Sequence, residues 1–116
     1  MRRNELERDE QFAWEVLRKA HYATLAMTGA DGTPYCVPVN HVADEAYHVL
    51  YFHCAGAGEK WQLLEKEPPV CLTAVSRMSI VPNEFETAYD SAVVRGQAQV
   101  VTDEGERTKA LLLLVE

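Results

Sequence analysis

Nowhere in these 116 residues is there an apolar run long enough to span a membrane, and the opening MRRNELERDE is charged where a secretion signal would be apolar. The cytoplasm is the expected location. Positive charge is also scarce: 11 Lys and Arg stand against 18 Asp and Glu, a net charge of −7. Nucleic-acid binders normally present a basic face, and anionic membranes repel an acidic protein, so neither partner is expected. Any anion bound by this chain must be met by positive charge placed locally. The three cysteines, Cys36, Cys54 and Cys71, are odd in number, include no CxxC and lie in apolar runs. That pattern predicts buried, reduced thiols. His21, His41, His48 and His53 form no HxxxH pair, so no metal site is expected. Internal repeats, low-complexity tracts and linkers are missing too, and the length points to one domain over 1–116.

What is present is 47% hydrophobic, ample for a core. A domain this small buries a limited share of its surface, so a dimer interface would help its stability. Phe12, Ala13, Val16, Leu17 and Ala20 recur at helical spacing with Asp9 placed to cap them, which predicts a helix from Asp9 to Ala20. Tyr22 to Thr28 and Pro34 to Val42 read as two strands joined by the turn Gly29-Ala30-Asp31-Gly32. After a tight turn at Ala43-Asp44-Glu45, a third strand runs from Ala46 to Phe52. Tyr47, Val49, Tyr51 and His53 should face one side of it, and His48, Leu50, Phe52 and Cys54 the other. A short helix, Glu59 to Glu67, carries Trp61, Leu63 and Leu64 and is ended by Pro68-Pro69. Two long strands follow, Val70 to Val81 and Ala88 to Val101, with a loop at Pro82 to Thr87 and a bend expected at Gly96. Asp103 and Glu106 have the spacing of a capping box for a last helix, whose end carries the apolar patch Leu111 to Val115. Trp14 and Trp61 are expected in the core, and Asp90 at a strand end or in a loop. Hairpins dominate over βαβ crossovers, and antiparallel strands with edges to hide predict a barrel.

The segment Tyr51 to Lys60, YFHCAGAGEK, carries the chemistry. A strand stops at His53-Cys54, a loop of small residues follows, and Lys60 lies just inside a helical segment. The first turn of a helix leaves backbone N–H groups unpaired and its dipole favours negative charge. Small residues keep side chains clear of an anion, and Lys60 adds a full positive charge as a point donor. The local pattern is neither a Walker loop nor a dinucleotide fingerprint. It reads as a phosphate site with chemistry beside it, or as a plain connecting loop.

Five segments occur in order along the chain: Tyr22-Ala23-Thr24-Leu25-Ala26-Met27; Asp31-Gly32-Thr33-Pro34-Tyr35 leading to Val37-Pro38-Val39-Asn40; Tyr51-Phe52-His53-Cys54-Ala55 with Gly58 and Lys60; Val70-Cys71-Leu72-Thr73; and Tyr89-Asp90-Ser91 through Val93 to Gly96. Together they resemble the FMN-binding split-barrel proteins related to pyridoxamine 5′-phosphate oxidase, and among these the 5-nitroimidazole-resistance (Nim) branch. The resemblance implies a mainly β fold with α, an antiparallel six-stranded-type split barrel with flanking helices. It also implies a homodimer with FMN at the subunit interface. By that likeness Thr24, Leu25, Pro38, Val39 and Asn40 border the isoalloxazine, and Phe52, His53, Cys54 and Ala55 flank the ring and ribityl chain. Lys60 and the helix start at Gly58 hold the phosphate, and Ser91 of the partner subunit completes the site. Such proteins usually continue past the last helix into a strand that closes the barrel; this sequence stops at Glu116, so that last strand is expected to be missing.

The resemblance implies an FMN-dependent oxidoreductase acting on a small-molecule electron acceptor such as a nitroaromatic, with His53 as proton donor or substrate anchor. A non-catalytic flavin- or haem-binding module for storage or sensing is the alternative, with His53 or His48 as the haem ligand. A structural dimer with a decayed site is the third reading.

Overall fold

A computed structural model describes residues 9–81 and 86–114, with the main chain alone described at 77–81 and 86–89. The elements in chain order are α1 (Glu10–Lys19), β1 (Ala23–Thr28), β2 (Pro34–Val39), β3 (His41–Asp44), β4 (Val49–Phe52), α2 (Glu59–Leu64), β5 (Pro69–Val81), β6 (Glu86–Gln97) and α3 (Glu104–Leu114). The strands form two antiparallel sheets. One has the order β2-β1-β5-β6 and the other pairs β3 with β4.

Helix α1 starts as its sequence predicts. Asp9 Oδ1 accepts the Phe12 N–H at 2.9 Å, an acidic residue opens the helix, and Arg18 and Lys19 close it, each sign matching the dipole. Its apolar stripe buries Val16 and Leu17 and packs on β5 and β6. His41 Nε2–H donates to the Leu17 carbonyl at 2.7 Å, tying the end of α1 to β3. Strand β1 alternates cleanly: Ala23, Leu25 and Met27 point into the core, while Thr24, Ala26 and Thr28 point outward. Leu25 is 0% exposed and sits opposite Leu72 of β5. Burying a leucine fully is worth about 1.5–3 kcal/mol. Ala74, Ala92, Val39, Leu63 and Leu64 complete this core.

Several boundaries differ from the sequence reading. The strand expected from Pro34 to Val42 is two strands, parted at Asn40, because β2 pairs with β1 and β3 turns away to pair with β4. The strand expected from Ala46 begins at Val49. Residues Glu45–Tyr47 form a 3-10 turn instead, closed by the His48 N–H on the Glu45 carbonyl at 3.1 Å, with His48 at φ 55°. The facing pattern survives this: Tyr47, Val49 and Tyr51 line one shared pocket, and Leu50, Phe52 and Cys54 pack on the core.

Helix α2 stops at Leu64, short of the expected Glu67, because Pro68 disfavours a helical residue before it and Glu67 adopts φ 52°. Glu67 then stitches the corner: its carbonyl accepts from Gln97 Nε2 at 3.1 Å and its Oε2 accepts the Val100 N–H at 3.0 Å. That side-chain contact replaces ladder pairing, so β6 ends at Gln97 and not at Val101. The β5–β6 ladder shifts register between Val75 and Arg77, an irregularity on β5 rather than at Gly96. Of the expected loop at Pro82 to Thr87, Glu86 and Thr87 belong to β6, and the rest lies outside the described residues. Asp90 lies inside β6, opposite Arg77 in register, and not at a strand end.

The cysteines correct an expectation. Cys36 is exposed, and Cys54 and Cys71 are half-buried; all three are free. The reason is strand parity: Cys36 and Cys71 both pair with Ala26, whose side chain points outward, so they share the outer face. Trp14 packs half-buried against the core. In α3, Asp103 Oδ2 accepts the Glu106 N–H at 2.8 Å as a capping box requires. The Glu106 carboxylate, however, accepts from Tyr51 and does not reach back. Among the described part of the terminal patch, Leu111 and Leu112 are exposed. No described helix is long and apolar enough to cross a membrane.

Candidate functional site

Three of the expected site residues, Pro38, Val39 and Asn40, lie where the two sheets part. The β1–β2 ladder ends at Ala23 opposite Val39, so Tyr22 and Asn40 leave it together. The β3–β4 ladder ends at His41 opposite Phe52, so Asn40 and His53 leave that one together. Asn40 is thus the single residue between the two ladders, one position past the last recorded pair of each. An open groove of about 620 Å³ lies here, lined by His21, Tyr22, Pro38, Val39 and Asn40. The groove is open to solvent, and its walls mix apolar rings with a few polar groups.

Thr24 and Pro38 stand opposite each other, and Thr24 also faces Thr73, which faces Val93. This row runs across the outer face of the four-stranded sheet. Ser91, opposite Val75, is exposed on the same face two residues along β6. Val75 and Val93 are 48% and 58% exposed there, leaving an apolar strip beside the threonines. Leu25 and Val39 differ from their neighbours in the expected set: their side chains are in the core, and only their main chain can face a ligand.

The second group follows β4. Phe52 is half-buried against the core and His53 is exposed. Cys54 is held by its Sγ–H on the Ala55 carbonyl at 3.2 Å, and Ala55 is exposed. Gly58 occupies the N-cap of α2 at φ 96°, a backbone state that side chains resist, and no side chain caps the helix. A Cβ built at Gly56 or Gly58 meets nothing within 4 Å, so the loop is open to solvent. Lys60 is half-buried in the first turn, and among the described residues it makes no ion pair.

A separate polar cluster lies under α3. Tyr51 O–H donates to Glu106 Oε2 at 2.9 Å, and burial, reinforced by that carboxylate, pushes the phenol up to about 12. Lys109 Nζ lies 2.7 Å from Asp44 Oδ2 and 3.7 Å from the centre of the Tyr47 ring. These contacts fasten α3 to the two-stranded sheet. Among the described residues no three His, Cys, Asp or Glu side chains come together as a metal site would need.

Pro38, Val39 and Asn40, which the resemblance sets beside a flavin ring, line this groove, and so do His21 and Tyr22, which it does not name. Tyr22 reads as the first residue of β1, and no spacing reveals that the ladder ends one residue later. The Tyr51–Glu106 contact was hidden by the capping-box pattern, which assigns the Glu106 side chain a different partner.

The family model for pyridoxamine 5′-phosphate oxidase matches residues 9–116. No curated protein matches the sequence closely enough to be called a relative. Among solved structures, a candidate 5-nitroimidazole antibiotic resistance protein from Bacteroides thetaiotaomicron is 25% identical with a TM-score of 0.78, over 94% of this chain and 66% of that one. The FAD binding protein from Mycobacterium smegmatis is 20% identical, TM-score 0.70, over 90% of this chain and 78% of that one. A flavocytochrome from Azotobacter vinelandii is 20% identical, TM-score 0.72, over 94% of this chain and 51% of that one. The chain therefore spans just under two thirds of the Bacteroides protein and about half of the flavocytochrome. The last two likenesses establish the fold alone, a split β-barrel with flanking helices. With the family model running from Asp9 to Glu116 and the fold agreeing, this chain belongs to the pyridoxamine 5′-phosphate oxidase family.

Proposed function

We propose that this protein is an FMN-dependent oxidoreductase that passes electrons to a small planar acceptor, nitroaromatics among them. The observation that carries the reading is the groove at the parting of the sheets, whose lining includes Pro38, Val39 and Asn40. The donor set fits a flavin ring: an apolar wall from Pro38 beside the Val39 main chain, and an amide from Asn40 able to meet a polar ring edge. A bound flavin supplies the electron transfer, and the protein's share is orientation and electrostatics. Lys60 and the open main chain around Gly58 would hold the phosphate. His53, exposed and leaving its ladder beside Asn40, would give a proton to the acceptor or hold it by a hydrogen bond. Ser91 lies on the exposed outer face, from which it could reach a partner's site in a homodimer. The likeness to a candidate nitroimidazole-resistance protein supports the choice of acceptor.

Holding a cofactor without turnover is the second reading, favoured by similar structures that bear the names of FAD- and haem-binding proteins. His48 lies edge-on against the Trp14 ring, 5.8 Å between centroids, which leaves His53 as the freer haem ligand.

An absorption spectrum of the purified chain, before and after incubation with FMN, separates these outcomes. Flavin bands that stay with the protein on gel filtration support the proposal, a Soret band supports haem, and no retained chromophore removes both. Lys60→Ala should weaken FMN binding by about 1.5–3 kcal/mol, the worth of a hydrogen bond to a charged group. Unchanged affinity would take Lys60 out of the phosphate site. His53→Ala should keep the flavin but slow its reoxidation by a nitro compound, and equal rates would leave His53 with a structural role.

A further inference from the structure

We propose that His21 and Tyr22 form the seat of the electron acceptor, and that this seat takes a neutral planar aromatic molecule bearing oxygen substituents. The inference rests on the reading of the groove as a flavin-dependent site and adds residues to which that reading gives no task. Tyr22 is a large aromatic side chain left 59% exposed, beside a groove and not in a core. It shares the groove with Asn40, and Asn40 leads directly into His41, whose ladder partner Phe52 precedes His53.

The lining sets the chemical class. With Pro38 and Asn40 given to the flavin, Tyr22 offers a ring face against which a planar aromatic gains from offset or edge-on packing. His21 offers a polar ring nitrogen suited to nitro or carbonyl oxygens. His21 is the one titratable lining residue besides the tyrosine, and the chain as a whole carries −7, so the groove has no fixed positive charge for a carboxylate. Neutral aromatics are favoured over anionic ones of the same shape.

The test uses the full chain incubated with FMN and two probes of equal size, neutral 4-nitrobenzyl alcohol and anionic 4-nitrobenzoate. Their dissociation constants are measured by titration calorimetry, with and without FMN, alongside the FMN affinity of each variant. The alcohol should bind more tightly than the benzoate. Tyr22→Ala should weaken binding of the alcohol about two- to tenfold, the worth of one aromatic contact, while Tyr22→Phe holds near the original value. His21→Gln should weaken it less, and FMN affinity should stay unchanged in all three.

Flavin binding with no effect of Tyr22→Ala on the alcohol overturns this inference and leaves the flavin reading standing. If Tyr22→Ala releases FMN instead, the groove is only the flavin's own seat and the inference falls. A change of oligomeric state on sedimentation in Tyr22→Ala would assign the ring to a contact between copies, again overturning it. If the chain takes up no FMN yet binds the alcohol through Tyr22, the seat stands and the flavin reading fails.

Discussion

Tyr51 shows how one buried phenol can report on the fold. Its hydroxyl proton is committed to Glu106, and in the folded state it ionises near 12, against an ordinary value of 10. Because the folded value is the higher one, the protonated form is favoured by folding. The stability it contributes is complete below pH 10 and is lost as pH rises from there through 12. An ultraviolet titration should show a late phase of tyrosine ionisation near pH 12 that is absent in Tyr51→Phe. A titration that Tyr51→Phe leaves unchanged at high pH would contradict the buried contact. At this scale the sequence was legible where a residue acts on its own neighbours. Asp9 and Asp103 cap the helices that follow them, as their spacing announced. It was illegible where a partner lies far along the chain: Tyr51 and Glu106 are 55 positions apart, and nothing local joins them. The cysteines misled for a related reason. An apolar neighbourhood in sequence does not say which face of the sheet a strand residue takes.

Among the three helices α3 buries the least, with Ala110 its only buried residue among those described. Polar fastening makes up the difference. Asp44 Oδ2 is buried, and Lys109 meets it as an ion pair at 2.7 Å while its ammonium also rests on Tyr47. Lys109→Met should therefore cost about 1–3 kcal/mol, mostly for a carboxylate left without its partner. Hydrogen exchange should quicken in α3 and at β3, and not in β1 or β5. Exchange that rose evenly through the chain would mean that α3 unfolds with the rest and is no separate unit. Element order and type were plain from periodicity and turn residues, but the parting at Asn40 was not. Val39, Asn40, His41 and Val42 continue the extended pattern of Pro34 to Val39, and the change of sheet is decided by which strands lie alongside. Of the proposed site, Pro38 to Asn40 were named by the family likeness, while His21 and Tyr22 come into view only with the ladder ends.

At the scale of the whole molecule, we assign the interface of the proposed homodimer to the outer face of the four-stranded sheet. Val75 and Val93 stand exposed there beside Thr24, Thr73 and Ser91, and the proposed function needs that face to meet its copy. Val93→Glu would place a charge in the contact of an already acidic protein. Sedimentation should show the original chain as a dimer and the variant as a monomer with weakened FMN retention. A variant that stays dimeric would move the interface elsewhere. The order in which the strands are joined has a consequence in time. Neighbours β1 and β2, β3 and β4, and β5 and β6 can each zip up as hairpins soon after collapse, within microseconds for the simplest. The seam between β1 and β5 cannot: Leu25 must find Leu72, and the chain between them includes the whole second sheet and α2. Closing so distant a pair before any contact rewards it is the slow step expected of such a topology. Until that seam shuts, β1 and β5 both present unpaired edges, so the nascent chain should be most prone to aggregate in that interval.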